Sequence, residues 1–362
     1  MAEKKVLIGM SGGVDSSVAA FLIQNAGDSC IGATMRLYDN ETLGEEPGRT
    51  CCTLDDAEDA RSVATRLGIP HYVFNFKEDF EDRVIRKFVR CYEEGITPNP
   101  CIDCNRHLKF DQLMRRAEEL GCDCVVTGHY ARILQDPDTG RYLLYRATDP
   151  AKDQSYVLYS LTQYQLAHTQ FPLGGMSKTE TRAIAEAQGF INAKKQDSQD
   201  ICFVPDGDYV AFMERYTGKS YPAGDFLDLD GKVVGKHRGA VAYTLGQRKG
   251  LGLAMGAPVY VCGKNMDDNT VTVGPNEALF STTLVAEDWN WFPFETLTEP
   301  IRVQAKARYN QPPQSATVYP GEGGTATVVF DAPQRALTPG QAVVLYDGEL
   351  VVGGGTITEV KK

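Results

Sequence analysis

A glycine- and serine-rich segment near the N-terminus has the residue types of a phosphate-binding loop. Residues 9–17 read GMSGGVDSS. Glycines let backbone N–H groups approach an anion, and a helix that begins here adds the positive end of its dipole. Ser11, Ser16 and Ser17 can donate hydroxyl hydrogen bonds, and Asp15 is placed to hold a cation between phosphates. The segment therefore predicts a site for phosphate groups.

The elements around this segment support phosphate binding. The apolar run Val6-Leu7-Ile8 precedes it and predicts a strand, and residues 18–25 predict a helix. A strand, a loop and a helix N-terminus in this order form anion sites. The loop has neither the Gly-Lys-Ser/Thr ending of a Walker motif nor the spacing of a dinucleotide fingerprint. An ordinary Gly/Ser turn from strand to helix is the alternative.

Three cysteines in polar surroundings are the second group of candidate reactive residues. Cys101 and Cys104 form a Cys-x-x-Cys pair in the segment TPNPCIDCN, and Cys202 follows a polar run at 197–200. In a reducing compartment, the cysteines of a soluble enzyme of this size are catalytic, metal-binding or buried, and they do not form a disulfide framework. Two prolines before the pair predict that the residues after them lie in a rigid loop outside any helix.

Zinc binding and burial are the alternative interpretations of these cysteines. A zinc site needs a fourth ligand, which His107 or Cys91 could supply. Other cysteines stand in apolar, strand-like contexts and are predicted to be core residues: Cys30, Cys122, Cys124 and Cys262.

The first half of the chain alternates strand and helix signals. Predicted strands lie at 5–10, 29–37, 71–75 and 124–127, and predicted helices at 16–25, 54–67, 78–94 and 110–120. The segment SKTE at 177–180 is a capping box that opens a further helix to about 188. This alternation predicts an α/β fold with a parallel sheet and helices on both faces. Ligands then bind at the carboxyl ends of the strands, where the Gly/Ser loop and Gly128-His129 would lie.

The second half has the pattern of an all-β structure. A hairpin with Asp230-Gly231 at its turn is predicted at 225–232. Short β-rich runs then follow at 259–262, 270–273, 301–307, 325–330, 343–346 and 350–352. Their spacing predicts a small antiparallel β-barrel. We expect a first domain at 1–204, a small central domain at 205–275 and the barrel at 276–362.

The composition is that of a globular protein with two or three domains. The 362 residues are 42% hydrophobic and 23% charged, with ten cysteines and a net charge of −11. The acidic balance argues against a general nucleic-acid binder. Two basic stretches without acidic residues, 232–249 and 302–308, favour selective binding of one structured RNA, although solvated loops give the same pattern. Because no membrane-length apolar run or secretory pattern is present, we expect a cytoplasmic protein.

Three motifs together resemble those of a known family. SGGVDS at 11–16 resembles the loop of ATP pyrophosphatase (PP-loop) enzymes, which cleave ATP to AMP and pyrophosphate. With PNPCIDCN at 98–105 and SQDICF at 198–203, the chain resembles the tRNA-specific 2-thiouridylases. Further matching segments are CC at 51–52 with DDA at 55–57, TGHY at 127–130, KDQSY at 152–156, YTLGQRKGLG at 243–252, ARY at 307–309 and PGQAV at 339–343.

The resemblance implies ATP-dependent thiolation of the wobble uridine in tRNAs for Lys, Glu and Gln. AMP is transferred to the C2 oxygen with loss of pyrophosphate, and Mg²⁺ neutralises developing charge. Cys202 then carries sulfur as a persulfide received from a sulfur-relay protein or cysteine desulfurase. Cys104 helps release that sulfur and closes a transient Cys104–Cys202 disulfide. The nucleotide-binding residues are Gly9, Met10, Ser11, Gly12, Gly13, Val14, Asp15, Ser16, Met35 and Gly128.

The resemblance also implies a tRNA interface, with a catalytic domain at 1–204 and a central tRNA-binding domain at 205–275. The target base leaves the anticodon stack and is contacted by Asn99, Pro100 and Cys101. Tyr309 has the chemistry for base stacking and Arg308 for phosphate contact, with packing inside the barrel as the alternative. The full set of further tRNA contacts is His129, Lys152, Asp153, Gln154, Arg308, Tyr309 and Gln341.

Cys101 leaves a second sulfur chemistry open. Some family members have Asp at this position, whereas this chain has three candidate cysteines, Cys101, Cys104 and Cys202. Three thiolates can hold a four-iron–four-sulfur cluster and leave one iron open to bind the sulfur that is transferred. The persulfide and the cluster are both retained as predictions at the same residues.

Two other functional classes remain as alternatives. A different PP-loop enzyme, such as an amidotransferase-linked ligase or a lysidine synthetase, would not need Cys104 or Cys202. A non-catalytic iron–sulfur or zinc protein that binds tRNA as an adaptor would not need Asp15. We expect a monomer, with a dimer as the alternative.

Overall fold

The structure is a computed structural model and describes residues 3–38, 54–196 and 201–361. The chain divides into two compact units. The first comprises Met1–Ile85, Pro100–Gly207 and Glu349–Val352, and the second comprises Arg86–Asn99, Asp208–Gly348 and Gly353–Lys362. Within the described ranges, no helix combines the length and the apolar composition that crossing a bilayer requires.

The secondary structure follows the pattern expected from the sequence in most places. The strands are β1 Lys5–Gly9, β2 Ser29–Arg36, β3 His71–Asn75, β4 Cys124–Val126, β5 Ala131–Gln135, β6 Tyr142–Arg146, β7 Thr169–Gln170, β8 Gly224–Leu227, β9 Val233–His237, β10 Tyr260–Asn265, β11 Thr270–Gly274, β12 Phe280–Trp291, β13 Ile301–Lys306, β14 Gln314–Pro320, β15 Ala326–Arg335, β16 Ala342–Asp347 and β17 Leu350–Lys361. The α-helices are α1 Val14–Asn25, α2 Leu54–Leu67, α3 Lys77–Phe80, α4 Arg86–Glu93, α5 Pro100–Cys104, α6 Leu113–Glu119, α7 Gln163–Ala167, α8 Lys178–Ala187 and α9 Tyr209–Thr217. Two π-helical stretches continue α3 and α5, at Glu81–Ile85 and Asn105–Gln112.

The first unit contains the predicted parallel sheet. Its strand order is β3-β2-β1-β4-β7, and each neighbouring pair is parallel. Val6 and Ile8 of β1 are fully buried in a cluster with side chains of α1, α2 and α8. Leu7, which points to the opposite face because side chains alternate along a strand, is also fully buried. Both faces of the sheet are therefore covered, and the predicted α/β architecture is confirmed.

The cysteine pair lies in a helix, so the predicted rigid loop was wrong. Pro100 is the first residue of α5, and the helical path continues through the π-helical stretch into α6. A proline is accepted in the first turn because the N–H that it lacks would have no intrahelical partner there. Cys101 and Cys104 are therefore three residues apart on one helix, with Cys101 exposed and Cys104 buried.

Three of the four cysteines predicted to be core residues are buried. Cys30, Cys124 and Cys262 are 6–7% exposed, whereas Cys122 is only partly buried. Cys122 lies in the turn after Gly121, between α6 and β4, and not in a strand. The core prediction was therefore wrong for Cys122.

The second unit contains a small sheet and a closed barrel. The small sheet has the order β10-β11-β8-β9 and a core around the fully buried Phe226. The barrel runs β12-β15-β14-β13-β16-β17, and antiparallel pairing between β12 and β17 closes it. The antiparallel barrel predicted for the C-terminal part is confirmed. Two of its strands, β12 and β14, were missed in the sequence.

Helix α8 begins with the predicted capping box. The Ser177 hydroxyl accepts a hydrogen bond from the backbone N–H of Glu180, and the Glu180 carboxylate accepts one from the N–H of Ser177. Both bonds satisfy backbone donors that the helix itself leaves without partners.

We expect Ser177→Ala to lower the free energy of unfolding by about 1 kcal/mol, because an alanine N-cap leaves one such donor unsatisfied. Urea denaturation followed by circular dichroism measures this change. Thr179→Ala is the control, since Thr179 is an exposed residue inside the same helix. Equal losses in the two variants would contradict a specific capping role.

Candidate active site

The Gly/Ser loop leaves the carboxyl end of β1 and enters α1 at Val14. The hydroxyl groups of Ser16 and Ser17 both donate to the carbonyl of Gly13, at 3.0 Å. Ser16 Oγ also accepts a hydrogen bond from the backbone N–H of Ser11 at 3.2 Å. These bonds fix the loop as a compact turn at a helix N-terminus, the arrangement that binds phosphate groups.

Gly12 is the residue of the loop that needs to be glycine. Its φ is +72°, and a Cβ built there would lie 2.3 Å from the carbonyl oxygen of Asp56 in α2. The carbonyl of Gly12 accepts a hydrogen bond from Asn192 Nδ2 at 2.9 Å. Lys195 Nζ lies 3.4 Å from the same carbonyl and forms ion pairs with Asp56 and Asp59 at 2.7 Å. Asn192 and Lys195 thus hydrogen-bond to the loop backbone, and the sequence analysis did not identify either one as a site residue.

Gly128 packs directly against the start of α1. A Cβ at Gly128 would lie 2.7 Å from the carbonyl carbon of Asp15 and 2.8 Å from the backbone nitrogen of Ser16. Because both neighbours are backbone atoms, they cannot move aside as a flexible side chain could. Gly128 follows the carboxyl end of β4, the strand that pairs with β1. The structure therefore brings Gly128 and the Gly/Ser loop together, as the sequence predicts.

Asp15 is the centre of a polar network at the loop. Lys178 Nζ lies 2.7 and 2.8 Å from its two carboxylate oxygens. The Tyr130 hydroxyl lies 2.9 Å from Asp15 Oδ1 and 3.0 Å from Thr181 Oγ1. Lys178 was missed because its sequence context, a capping box, indicates only where a helix begins. The structure adds a positive charge beside the predicted phosphate site.

The backbone of Cys202 is hydrogen-bonded to a residue just beyond the end of β2, the strand next to β1. The hydroxyl of Tyr38, two residues beyond β2, donates to the carbonyl of Cys202 at 3.1 Å. Met35, a predicted nucleotide contact, lies near the end of the same strand and is half-buried. The structure therefore places the backbone of one candidate catalytic cysteine at the same edge of the sheet as the loop.

The three candidate cysteines do not form a ready metal site. In the part of the chain that the structure describes, no group of three His, Cys, Asp or Glu side chains is arranged to hold a metal ion. Cys101 is exposed, Cys104 is buried and Cys202 is intermediate. Cys51, Cys52 and residues 197–200 lie outside the described residues.

His129, a predicted tRNA contact, is a buried side chain. Its Nδ1 lies 2.7 Å from Thr127 Oγ1, and its ring packs between Phe110 and Phe171. Burial, with a smaller contribution from the Lys109 ammonium, lowers the pKa of His129 well below its ordinary value. The imidazole is therefore neutral at physiological pH and cannot offer a positive charge to a phosphate.

Asp153 and Gln154 form hydrogen bonds with backbone groups of the first unit. Asp153 accepts hydrogen bonds from the backbone N–H groups of Ala147 and Ser155 at 3.2 and 3.1 Å. Gln154 exchanges two hydrogen bonds with the backbone of Tyr130 through its N–H and its side-chain oxygen. Lys152, the third residue of the predicted tRNA contact, is half-buried. Asp153 and Gln154 thus fix the chain next to the Asp15 network.

In the second unit, two predicted tRNA contacts bind the protein backbone. Arg308 Nη2 donates to the carbonyl of Ala336 at 2.7 Å. Gln341 Nε2 donates to the carbonyls of Thr97 and Pro98 at 2.9 and 3.3 Å, just before the half-buried Asn99.

Tyr309 has the surroundings that base stacking would require. Its side chain is 38% exposed, and Lys306 Nζ lies 5.4 Å from the ring centroid. An exposed ring with an adjacent cation suits contact with RNA.

We expect Lys178→Met to raise the Kd for ATP by about tenfold or more, because the Asp15 carboxylate would then face the phosphates without its ammonium partner. Calorimetric titration measures the Kd. Lys219→Met is the control, since it removes the more exposed ion pair with Glu93 at 2.7 Å.

In titrations without Mg²⁺, adding Asp15→Asn to Lys178→Met should restore part of the lost affinity, because the repelling charge is then also removed. An unchanged Kd in Lys178→Met would contradict a role for this ammonium at the loop.

Models of three protein domains match consecutive parts of the chain. They are described as the tRNA methyl transferase HUP domain at residues 4–206, the tRNA methyl transferase PRC-barrel domain at 210–275 and the aminomethyltransferase beta-barrel domain at 281–357. A solved complex of a 4-thiouridine synthetase with RNA and bound ATP covers 56% of this chain and 45% of its own, with 18% identity and a TM-score of 0.36.

Two relatives match over nearly their whole lengths. The tRNA-specific 2-thiouridylase MnmA of Clostridioides difficile (strain 630) is 50% identical over 98% of this chain and 98% of its own. The enzyme of the same name from Acetivibrio thermocellus is 50% identical over 99% of this chain and 100% of its own. With 50% identity over nearly the whole length, the chain belongs to the family of tRNA-specific 2-thiouridylases.

Proposed function

We propose that this protein converts the wobble uridine of tRNA to 2-thiouridine and consumes ATP as AMP and pyrophosphate. One observation carries the proposal. The phosphate-type loop follows β1, and the Cys202 backbone is bound at the end of β2, the strand paired with β1. A nucleotide at the loop and a sulfur at Cys202 would therefore meet at one edge of the sheet, where open α/β sheets bind ligands.

In the first step, the C2 oxygen of uridine attacks the α-phosphorus of ATP. The bond from that phosphorus to the bridging oxygen breaks, and pyrophosphate leaves. The loop N–H groups and the Lys178 ammonium would stabilise the charge that develops on the phosphates. Mg²⁺ arriving with the nucleotide would use the remaining acceptor capacity of Asp15. The nucleotide contacts assigned here are Gly9, Met10, Ser11, Gly12, Gly13, Val14, Asp15, Ser16, Met35, Gly128 and Lys178.

In the second step, the terminal sulfur of a Cys202 persulfide attacks C2, and AMP leaves with the former C2 oxygen. The Cys104 thiolate then attacks Cys202 Sγ, which breaks the bond between the two persulfide sulfurs. The sulfur on C2 keeps the electron pair and becomes the thiocarbonyl, while Cys104 and Cys202 form a disulfide that a cellular thiol reductant reopens. A four-iron–four-sulfur cluster held by Cys101, Cys104 and Cys202 is the alternative sulfur carrier, and iron and sulfide analysis of anaerobically purified protein distinguishes the two.

The partners are tRNA and a sulfur donor. We propose tRNAs for Lys, Glu and Gln as substrates, and a sulfur-relay protein or cysteine desulfurase as the donor, in the cytoplasm. Asn99, Pro100 and Cys101 would contact the flipped base, and Tyr309 would stack on RNA. Lys152 remains a proposed tRNA contact. The buried or backbone-bound residues are assigned positioning roles instead: His129, Asp153, Gln154, Arg308 and Gln341.

Cysteine substitutions separate this function from its alternatives. Methyl transfer, which two of the domain descriptions name, and ligation by another PP-loop enzyme need neither Cys104 nor Cys202. We expect Cys104→Ser and Cys202→Ser to lower thiolation about a thousandfold or more, because serine cannot carry or release sulfur. The assay combines unmodified tRNA, ATP and a cysteine desulfurase, with 2-thiouridine quantified by mass spectrometry.

Cys122→Ser is the matched control, since Cys122 and Cys202 are both partly buried. It should keep its full activity. Thiolation that persists in both serine variants would overturn the proposed function.

A further inference from the structure

The bond between Tyr38 and Cys202 joins two segments that are far apart in the sequence. The Tyr38 hydroxyl donates to the Cys202 carbonyl at 3.1 Å, across 164 residues of chain. Tyr38 is 5% exposed, so this bond lies in surroundings from which water is largely excluded. Without its donor, the buried carbonyl would have neither a hydrogen bond nor hydration, which raises the free energy of the folded state. The bond therefore strongly favours one position of the Cys202 backbone.

Aromatic packing fixes the tyrosine ring and the residue after the cysteine. The centroids of the Tyr38 and Phe80 rings are 5.9 Å apart, and Phe80 meets Phe203 edge-on at 5.7 Å. Phe80 and Phe203 are at most 1% exposed. Because Phe203 is anchored by its own side chain, the segment would stay docked without the tyrosine hydroxyl.

Cys202 is less buried than Phe203. Cys202 is only partly buried, and the N–H of Val204 donates to the carbonyl of Ile201 at 2.8 Å in the turn around it. The bond to the Cys202 carbonyl acts on the orientation of the Cys202 peptide, and with it on the direction of Cα–Cβ. The donor is Tyr38, which lies two residues beyond β2, the strand that borders β1.

We propose that Tyr38 is a positioning residue for sulfur transfer, which fixes the Cys202 peptide so that the sulfur on its side chain faces the activated base. The inference rests on the proposed function. It predicts a separation of the two half-reactions, because the tyrosine hydroxyl donates its hydrogen bond to the cysteine segment. Adenylation should not need the hydroxyl, whereas attack by the persulfide should.

Tyr38→Phe tests this directly because it removes one oxygen atom and keeps the ring. Adenylation is measured as pyrophosphate release in a single turnover without a sulfur donor, and thiolation is measured with enzyme loaded with persulfide beforehand. We expect pyrophosphate release within about twofold of wild type and thiolation slower by about tenfold, the factor for one hydrogen bond of ordinary net strength. The KM for ATP should not change.

A second measurement needs neither tRNA nor turnover. The rate at which iodoacetamide alkylates Cys202, followed by mass spectrometry of its peptide, should change at least about threefold in Tyr38→Phe when the peptide orientation is released. Tyr209→Phe is the matched control, because Tyr209 also donates to a backbone carbonyl, that of Val241 at 3.2 Å. The control should change neither half-reaction nor the alkylation rate.

The outcomes distinguish the inference from the proposed function. Slower thiolation with normal pyrophosphate release supports the positioning role. Equal losses in both half-reactions, or no change in either one, would overturn it. Wild-type protein that forms no 2-thiouridine at all would refute the proposed function, while the alkylation rates would still report whether Tyr38 orients Cys202.

Discussion

The ion pair between Asp15 and Lys178 is the interaction on which the rest of the site depends. It joins the first turn of α1 to the first turn of α8 across 163 residues of chain. The Lys178 side chain is 11% exposed, so the charge of each partner needs the other to compensate for lost hydration. A phosphate loop carrying an unpaired carboxylate would repel its ligand. The lysine allows an acidic residue and a polyphosphate to occupy the same helix N-terminus.

The segment after α8 continues this support. Asn192 donates a hydrogen bond to the Gly12 carbonyl. Lys195 lies near the same carbonyl and pairs with Asp56 and Asp59 of α2. Burial acts to lower the pKa of Lys195, but the hydrogen bonds and charges of the two aspartates more than offset it, and the pKa is raised. The ammonium therefore stays charged at physiological pH. Cys202, the proposed sulfur carrier, follows Lys195 by seven residues in the sequence.

Local patterns predicted the fold well, and long-range partners could not be read from them. The glycine loop, the alternation of strands and helices and the Ser177 capping box can each be recognised from a few neighbouring residues. Lys178 was missed because its partner is distant in sequence. The helix that contains Cys101 was missed because Pro100 acts as a helix start and not as a helix breaker. A motif also does not reveal burial, so the sequence did not show that His129, a predicted tRNA contact, is buried against Phe110 and Phe171.

Adenylation of the C2 oxygen is the step that tests the proposed chemistry most directly. A tRNA carrying ¹⁸O at C2 of the wobble uridine would be thiolated with ATP, cysteine and a cysteine desulfurase, and the released AMP analysed by mass spectrometry. If uridine oxygen attacks the α-phosphorus, each 2-thiouridine formed yields one AMP that contains the ¹⁸O label. Unlabelled AMP, formed while 2-thiouridine accumulates, would contradict activation through the C2 oxygen.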